Sequence, residues 1–263
     1  MIMYERLLYD VTDHVATVTL YNPEQRNAFG VVMETELRAA LSQAGSDDEV
    51  RVVVLTGHGK TFCVGADMSA LQNVEDAVLP NPDDYEGNYG HRLTYNLSTP
   101  KPIIAAINGP IAGVGLSIAA YCDFRYMVDT AKLSTSFARR GLVAEHGLSW
   151  MLPRLVGLMN AVDLLMTGRV VPAPEAERIG LVRTLPADNF MADVMAIANE
   201  LAIYSSPRST AIIKRQIYEG LFQDLGEATA EALIEELKSF ECEDFKEGVA
   251  HFVERRPPAF TGR

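Results

Sequence analysis

Two short segments of this chain carry residue types and spacing from which backbone chemistry can be built. The first is Thr61-Phe62-Cys63-Val64-Gly65-Ala66-Asp67-Met68. The second is Asn108-Gly109-Pro110-Ile111-Ala112-Gly113-Val114-Gly115. Each reads as the end of a strand, a glycine turn and the start of a helix. The first N–H groups of a helix have no partner within it. They can therefore donate to an anion, or to an oxygen on which charge develops. Two such ends aimed at one point would form an oxyanion hole from the Ala66 and Val114 N–H groups. Loss of one donor of this kind typically costs ~3 kcal/mol of transition-state stabilisation. The plainer reading is that the glycines only permit close helix–strand packing, and the residues alone leave both readings open.

The surrounding pattern says which elements must position these turns. Residues 7–11 and 15–20 are β-rich, with Thr12-Asp13 as the expected turn between them. A helix follows, with Val32, Leu37, Ala40 and Leu41 toward one face. The apolar runs 50–56, 102–107 and 123–128 read as strands, the first buried on both faces. Strand, helix and strand at this spacing imply βα repeats with mostly parallel pairing. A polar, Pro-rich insertion over 79–84 reads as a lid or mobile loop, followed by a helix around 88–97. A further helix is expected over 148–155. From about Pro186 the pattern is helical only, which divides the chain into a core over 1–190 and a helical region over 191–263. In that region Ser206-Pro207 marks a helix start. Ala230, Leu233, Ile234 and Leu237 form one apolar stripe, and Phe245, Val249, Phe252 and Val253 another that must stop before Pro257. These stripes are expected to pack on the core and on a neighbouring subunit.

Composition narrows the function classes. The chain has 263 residues, 48% of them hydrophobic, which excludes disorder as the main state. Asp and Glu number 35 against 23 Lys and Arg, a net charge of −12. A chain this acidic is a poor partner for nucleic acid or an anionic membrane. Three widely spaced cysteines, Cys63, Cys122 and Cys242, offer neither a disulfide framework nor a Cys-type zinc site, so no metal is expected. With no signal-like start, a reducing cytoplasm is the expectation. The stretch 102–122 carries no charge and has the length of a membrane span. Asn108-Gly109-Pro110 interrupts it, so it reads as a buried βα unit.

A resemblance sharpens the picture. Asn22-Pro23-Glu24-Gln25-Arg26-Asn27-Ala28-Phe29 resembles the N-P-x-x-x-N-A-[LF] signature of the enoyl-CoA hydratase/isomerase (crotonase) superfamily. Residues 57–68 resemble its G-x-G-x-x-F-x-x-G-A-D-[LM] segment, and 101–123 its K-P-x-I-A-A-I-N-G-x-x-x-G-x-G…C-D segment. Residues 173–182 resemble A-x-E-A-x-x-x-G-L-V, and 247–260 the closing E-G-x-x-A-F-x-E-[KR]-R-x-P-x-F. The matches run in order over nearly the whole chain. They imply an α/β fold: a crotonase-like spiral of ββα turns with a C-terminal helical trimerisation region, assembled as a homotrimer or dimer of trimers. They imply an acyl-CoA thioester as ligand, with CoA part of the substrate and no separate cofactor. By family position, Ala66 and Val114 donate to the thioester oxygen. Arg26 and Ala28 flank the adenine side, while Gly65, Asp67, Met68 and Ser69, with Gly113, line the CoA site. Val114 departs from the usual Gly, and its N–H can serve if its φ is negative.

The hydratases of the family use two Glu side chains, whose positions fall here on Ser117 and Phe137. Phe cannot carry a proton, and Ser is a weak base unless activated. The ordinary two-Glu hydration is therefore not available. Glu145 lies where dienoyl-CoA isomerases and aroyl-CoA dehalogenases carry a carboxylate. A single buried carboxylate beside a polarised thioester is enough for a proton shift. The resemblance thus points to double-bond isomerisation or related enolate chemistry in acyl-CoA metabolism, with Glu145 as acid/base. Its bland alternative is a carboxylate complementing the dipole of the following helix. His146 reads as a supporting or surface residue, since neighbours in sequence point apart; His91 reads as a solvated helix residue. Trp150 reads as core or acyl-pocket wall. The competing functions are atypical hydration, a non-catalytic acyl-CoA-binding protein, and a serine-type acyl hydrolase using Ser117 with His146, as in the similarly folded Clp-type proteases.

Overall fold

The computed structural model describes residues 4–67 and 93–263. Strands β1 (Leu7–Thr12) and β2 (Val15–Leu20) form a hairpin in which Leu7 faces Leu20 and Thr12 faces Val15. The turn is Asp13-His14, one residue later than expected. Both residues have positive φ (49° and 65°), which the tight two-residue hairpin turn requires. Strand β2 then pairs in parallel with β3 (Val52–Gly57), and β3 with β4 (Ile103–Ile107). Every residue of β3 and β4 is buried, as their unbroken apolar character requires. Within the second turn segment a two-residue strand, β5 (Ile111–Ala112), comes next. Strands β6 (Phe124–Val128), β7 (Lys132–Ser134), β8 (Val171–Pro172) and β9 (Arg183–Leu185) follow. The main sheet has the order β1-β2-β3-β4-β6-β9, and a smaller sheet the order β5-β7-β8.

Helix α1 (Val31–Ser46) covers the start of the main sheet. It buries Met33, Leu37, Ala40, Leu41 and Ala44, while Val32 stands 47% exposed. The inward stripe thus begins one residue later than the sequence suggested. The uncharged stretch splits as expected into β4, the Asn108-Gly109-Pro110 break, β5 and a wholly buried helix α2 (Val114–Ala120). Helices α3 (Leu148–Val156), α4 (Leu158–Thr167) and α5 (Ala173–Arg178) follow. Among the described residues, no helix is long and apolar enough to cross a membrane.

Helix α6 (Phe190–Tyr204) inserts Phe190, Val194, Ala198 and Ala202 into the core and packs on β2, β3 and β4. Helix α7 (Pro207–Glu219) starts where Ser206 caps it, its Oγ accepting from Ser209 N–H at 3.1 Å. A capping box at Asp224 and Glu227 opens α8 (Leu225–Glu241), and α9 (Glu243–Glu254) ends before Pro257. The apolar stripes of these last two helices are not covered within one chain: Leu233, Ile234, Leu237, Phe252 and Val253 are all more than half exposed. The helical region is pinned to the sheet through Lys214. Its buried Nζ donates to Asn96 O, Lys101 O and Asp123 Oδ2, the last at 2.8 Å. The same Asp123 oxygen accepts from Ile103 N–H at 2.7 Å.

Candidate active site

The two glycine turns lie against each other. Ala112 N–H donates to Cys63 O, and Cys63 bridges Ile111 in parallel register. A β-carbon on Gly113 would sit 3.7 Å from the Gly65 Cα, and one on Gly115 would meet Cys63 O at 2.7 Å. The glycines therefore do allow close packing, as the plainer reading held. Gly65 and Gly113 also take positive φ, 110° and 51°. This answers the question raised by Val114: the left-handed position belongs to Gly113, and Val114 opens α2 without positive φ.

Asn22, Asn27 and Asn108 are the clamps that hold this geometry. Asn27 is fully buried, donates to His58 O and Thr61 O, and accepts from Asn22 N–H. Asn108 donates to Gly57 O and Gly59 O and accepts from Gly57 N–H. The two motifs are thereby tied to the loop that leads into the first turn. Next to it runs the extended segment around Phe29. Phe29 N–H donates to Gly65 O and Asp67 N–H to Phe29 O, so the chain brackets Ala66 without using its N–H. The Ala66 and Val114 N–H groups donate to no other described residue. Ala66 is exposed and Val114 is buried. Arg26 is exposed in a left-handed conformation, and Ala28 is buried with its carbonyl accepting from Asn22 Nδ2. Met68 and Ser69 lie outside the described residues, as do the 79–84 insertion and His91. Of the helix expected around 88–97, the described part is a 3-10 turn, Thr94–Leu97.

The two positions expected to match the family's glutamates, Ser117 and Phe137, are both buried. Phe137 is buried in the core. Ser117 is fully buried in α2 and its Oγ faces Gly113 O at 3.5 Å, one turn back on its own helix. Glu145 and His146 stand in the loop before α3. Contrary to the expectation for sequence neighbours, their side chains meet: His146 Nε2 lies 3.9 Å from Glu145 Oε2. The left-handed backbone at His146 (φ 56°) accounts for it, because it folds the chain between them. The Glu145 side chain is 36% exposed, so it is not the buried carboxylate expected, while His146 is only 11% exposed. The Tyr121 hydroxyl, from the end of α2, donates to His146 O at 2.6 Å. Trp150 stacks on Phe222 at 5.1 Å between ring centroids, and the Arg154 guanidinium lies over the Trp150 ring, 3.9 Å from its centroid. It is a partly covered aromatic wall rather than a core residue.

A spiral of parallel strands with paired glycine turns, closed by a helical C-terminal region, defines the crotonase class of acyl-CoA enzymes. The chain belongs to the enoyl-CoA hydratase/isomerase family, whose sequence model matches residues 10–263. It is 34% identical over 264 residues to a Rhodobacter capsulatus protein named probable enoyl-CoA hydratase, covering 99% of each chain. It is 32% identical to the 1,2-epoxyphenylacetyl-CoA isomerase of Escherichia coli, over 99% of this chain and 100% of that one. The crystal structure of an enoyl-CoA hydratase from Mycobacterium tuberculosis H37Rv is similar with a TM-score of 0.88 at 27% identity, covering 98% of this chain and 99% of that one. The resemblance drawn from the motifs is thus borne out for family, fold and enzyme class.

Proposed function

We propose that this enzyme shifts a double bond in an acyl-CoA thioester through an enolate held by the Ala66 and Val114 N–H groups. Glu145 is the acid/base. Its carboxylate takes a proton from the γ-carbon, and the electron pair moves through the double bond onto the thioester oxygen. The two N–H groups stabilise the charge there. Glu145 then returns the proton at the α-carbon, so no atom is gained or lost and no separate cofactor is needed. Arg26, Ala28, Gly65, Asp67 and Gly113, with Met68 and Ser69, contribute to the CoA site in this reading.

The observation that carries it is a contrast of side chains. Two N–H groups on apposed turns are unspent, while Ser117 and Phe137 offer no carboxylate and Glu145 does. The serine-hydrolase alternative draws no support from Ser117, whose Oγ faces a carbonyl of its own helix. Hydration is the second reading, favoured by the names of the hydratase relatives, and it would require Glu145 to activate water. The exposed apolar residues of α8 and α9 favour a homotrimer or dimer of trimers.

The deciding experiment incubates the enzyme with trans-2-hexenoyl-CoA in deuterium oxide and follows deuterium incorporation and double-bond position by mass spectrometry. Exchange with bond migration, lost in Glu145→Gln, supports isomerisation. A product heavier by one water supports hydration. Binding without exchange would leave a non-catalytic thioester-binding protein.

A further inference from the structure

We infer that Tyr121 is a positioning residue for Glu145. The inference rests on the acid/base reading of that carboxylate. Tyr121 closes α2, the helix that begins with Val114, so a single buried element carries a proposed oxyanion donor at one end and this phenol at the other. Its hydroxyl donates to His146 O at 2.6 Å. That carbonyl belongs to a residue in the left-handed region, followed by Gly147 at φ 71°. Two consecutive left-handed residues are an unfavourable way to enter a helix unless something holds them. The phenol does so, and the fit around it is close. A β-carbon on Gly147 would lie 2.5 Å from the Tyr121 oxygen, and the next ring atom is 3.8 Å away. Gly147 is thus needed both for its φ and for the room it leaves the hydroxyl.

The arrangement couples the two halves of the reaction mechanically. Glu145 has no element of regular structure beneath it; it stands between Gly141 and Gly147, both left-handed. Its own carbonyl accepts from Leu148 N–H at 3.1 Å, and its successor's carbonyl is anchored to the end of α2. The charge-holding N–H and the proton-carrying side chain are then referred to the same helix. Tyr121 touches no reacting atom in this account. Its removal should lower turnover through Glu145 while leaving thioester binding intact.

The test uses Tyr121→Phe, Gly147→Ala and their combination, each alone and with Glu145→Gln, on trans-2-hexenoyl-CoA in deuterium oxide. Tyr121→Phe should keep the fold and KM and lower kcat for exchange about tenfold, the scale of one buried hydrogen bond. In the Glu145→Gln background the same change should add nothing, whereas a merely structural role would lower the residual rate further. Gly147→Ala should lower the melting temperature, and Tyr121→Phe should recover part of that loss, because it removes the atom the new methyl meets. Additive losses in melting temperature would overturn the geometric claim. If Glu145→Gln silences exchange while Tyr121→Phe retains the wild-type kcat, the positioning role is wrong and the acid/base reading stands. If wild-type enzyme exchanges nothing, or Glu145→Gln exchanges as wild type, the acid/base reading fails and this inference falls with it.

Discussion

The two glycine turns and the 141–147 loop are built on opposite plans. At the turns, asparagine side chains clamp the backbone: Asn27 and Asn108 between them hold four carbonyls and two N–H groups. Gly57, Gly109 and Gly115 stand where a methyl would strike backbone. The 141–147 loop is held by backbone bonds such as Leu142 N–H to Phe137 O and Leu148 N–H to Glu145 O, with Tyr121 as a side-chain anchor, and it presents the Glu145 and His146 side chains. The difference suggests a division of labour. On the proposed mechanism, the part that would meet developing charge is backbone, whereas the part that would move protons is a side chain on a loop and can be exchanged. Such a division lets one scaffold support several reactions on one kind of thioester.

The sharpest way to break this contrast is Gly109→Ala. Its methyl would overlap the Lys60 carbonyl. We expect a loss of about 4 kcal/mol or more, seen as little soluble protein or a collapsed urea midpoint. In the 141–147 loop, Glu145→Gln should do the reverse. Thermal unfolding should stay within about 0.5 kcal/mol of wild type, while deuterium exchange into an acyl-CoA falls roughly 10²–10⁴-fold. A large stability change there would show that the loop is as over-determined as the turns. Asn27→Ala should cost roughly 2–3 kcal/mol in chemical denaturation, because it leaves buried carbonyls and an N–H without a partner. The smallest effect concerns thiols. Burial pushes Cys63, beside the first turn, and Cys122 up to about 12, so at pH 8 only about one in ten thousand is thiolate. Iodoacetamide at that pH should label Cys242, which is part-exposed, and spare the other two until the protein is denatured. Early labelling of Cys63 would mean that the first turn opens.

The same contrast explains what could be read from the residues alone. Glycine pairs, Asn-Pro and unbroken apolar strands reflect steric rules that act locally, so the turns and the parallel core were legible. The hairpin turn slipped by one residue because Asp and His are both tolerated, though not announced, at positive φ. Val32 and Met33 are equally apolar, and only packing shows which of them faces in. The meeting of Glu145 with His146 depends on a left-handed residue that is not a glycine, for which the sequence carries no marker. Lys214 reads as an ordinary surface lysine. Its acceptors lie about a hundred positions away in the chain, beyond the reach of any helical pattern.

That lysine also bears on biosynthesis. One oxygen of Asp123 fastens both the first amide of β4 and the ammonium of α7. Until residue 214 has left the ribosome, the Asn96 and Lys101 carbonyls and the Asp123 carboxylate lack its ammonium in the middle of the growing domain. The central strands can collapse early, but their final locking comes late in synthesis, and a chain stalled before α7 would expose an unfinished sheet to chaperones and proteases.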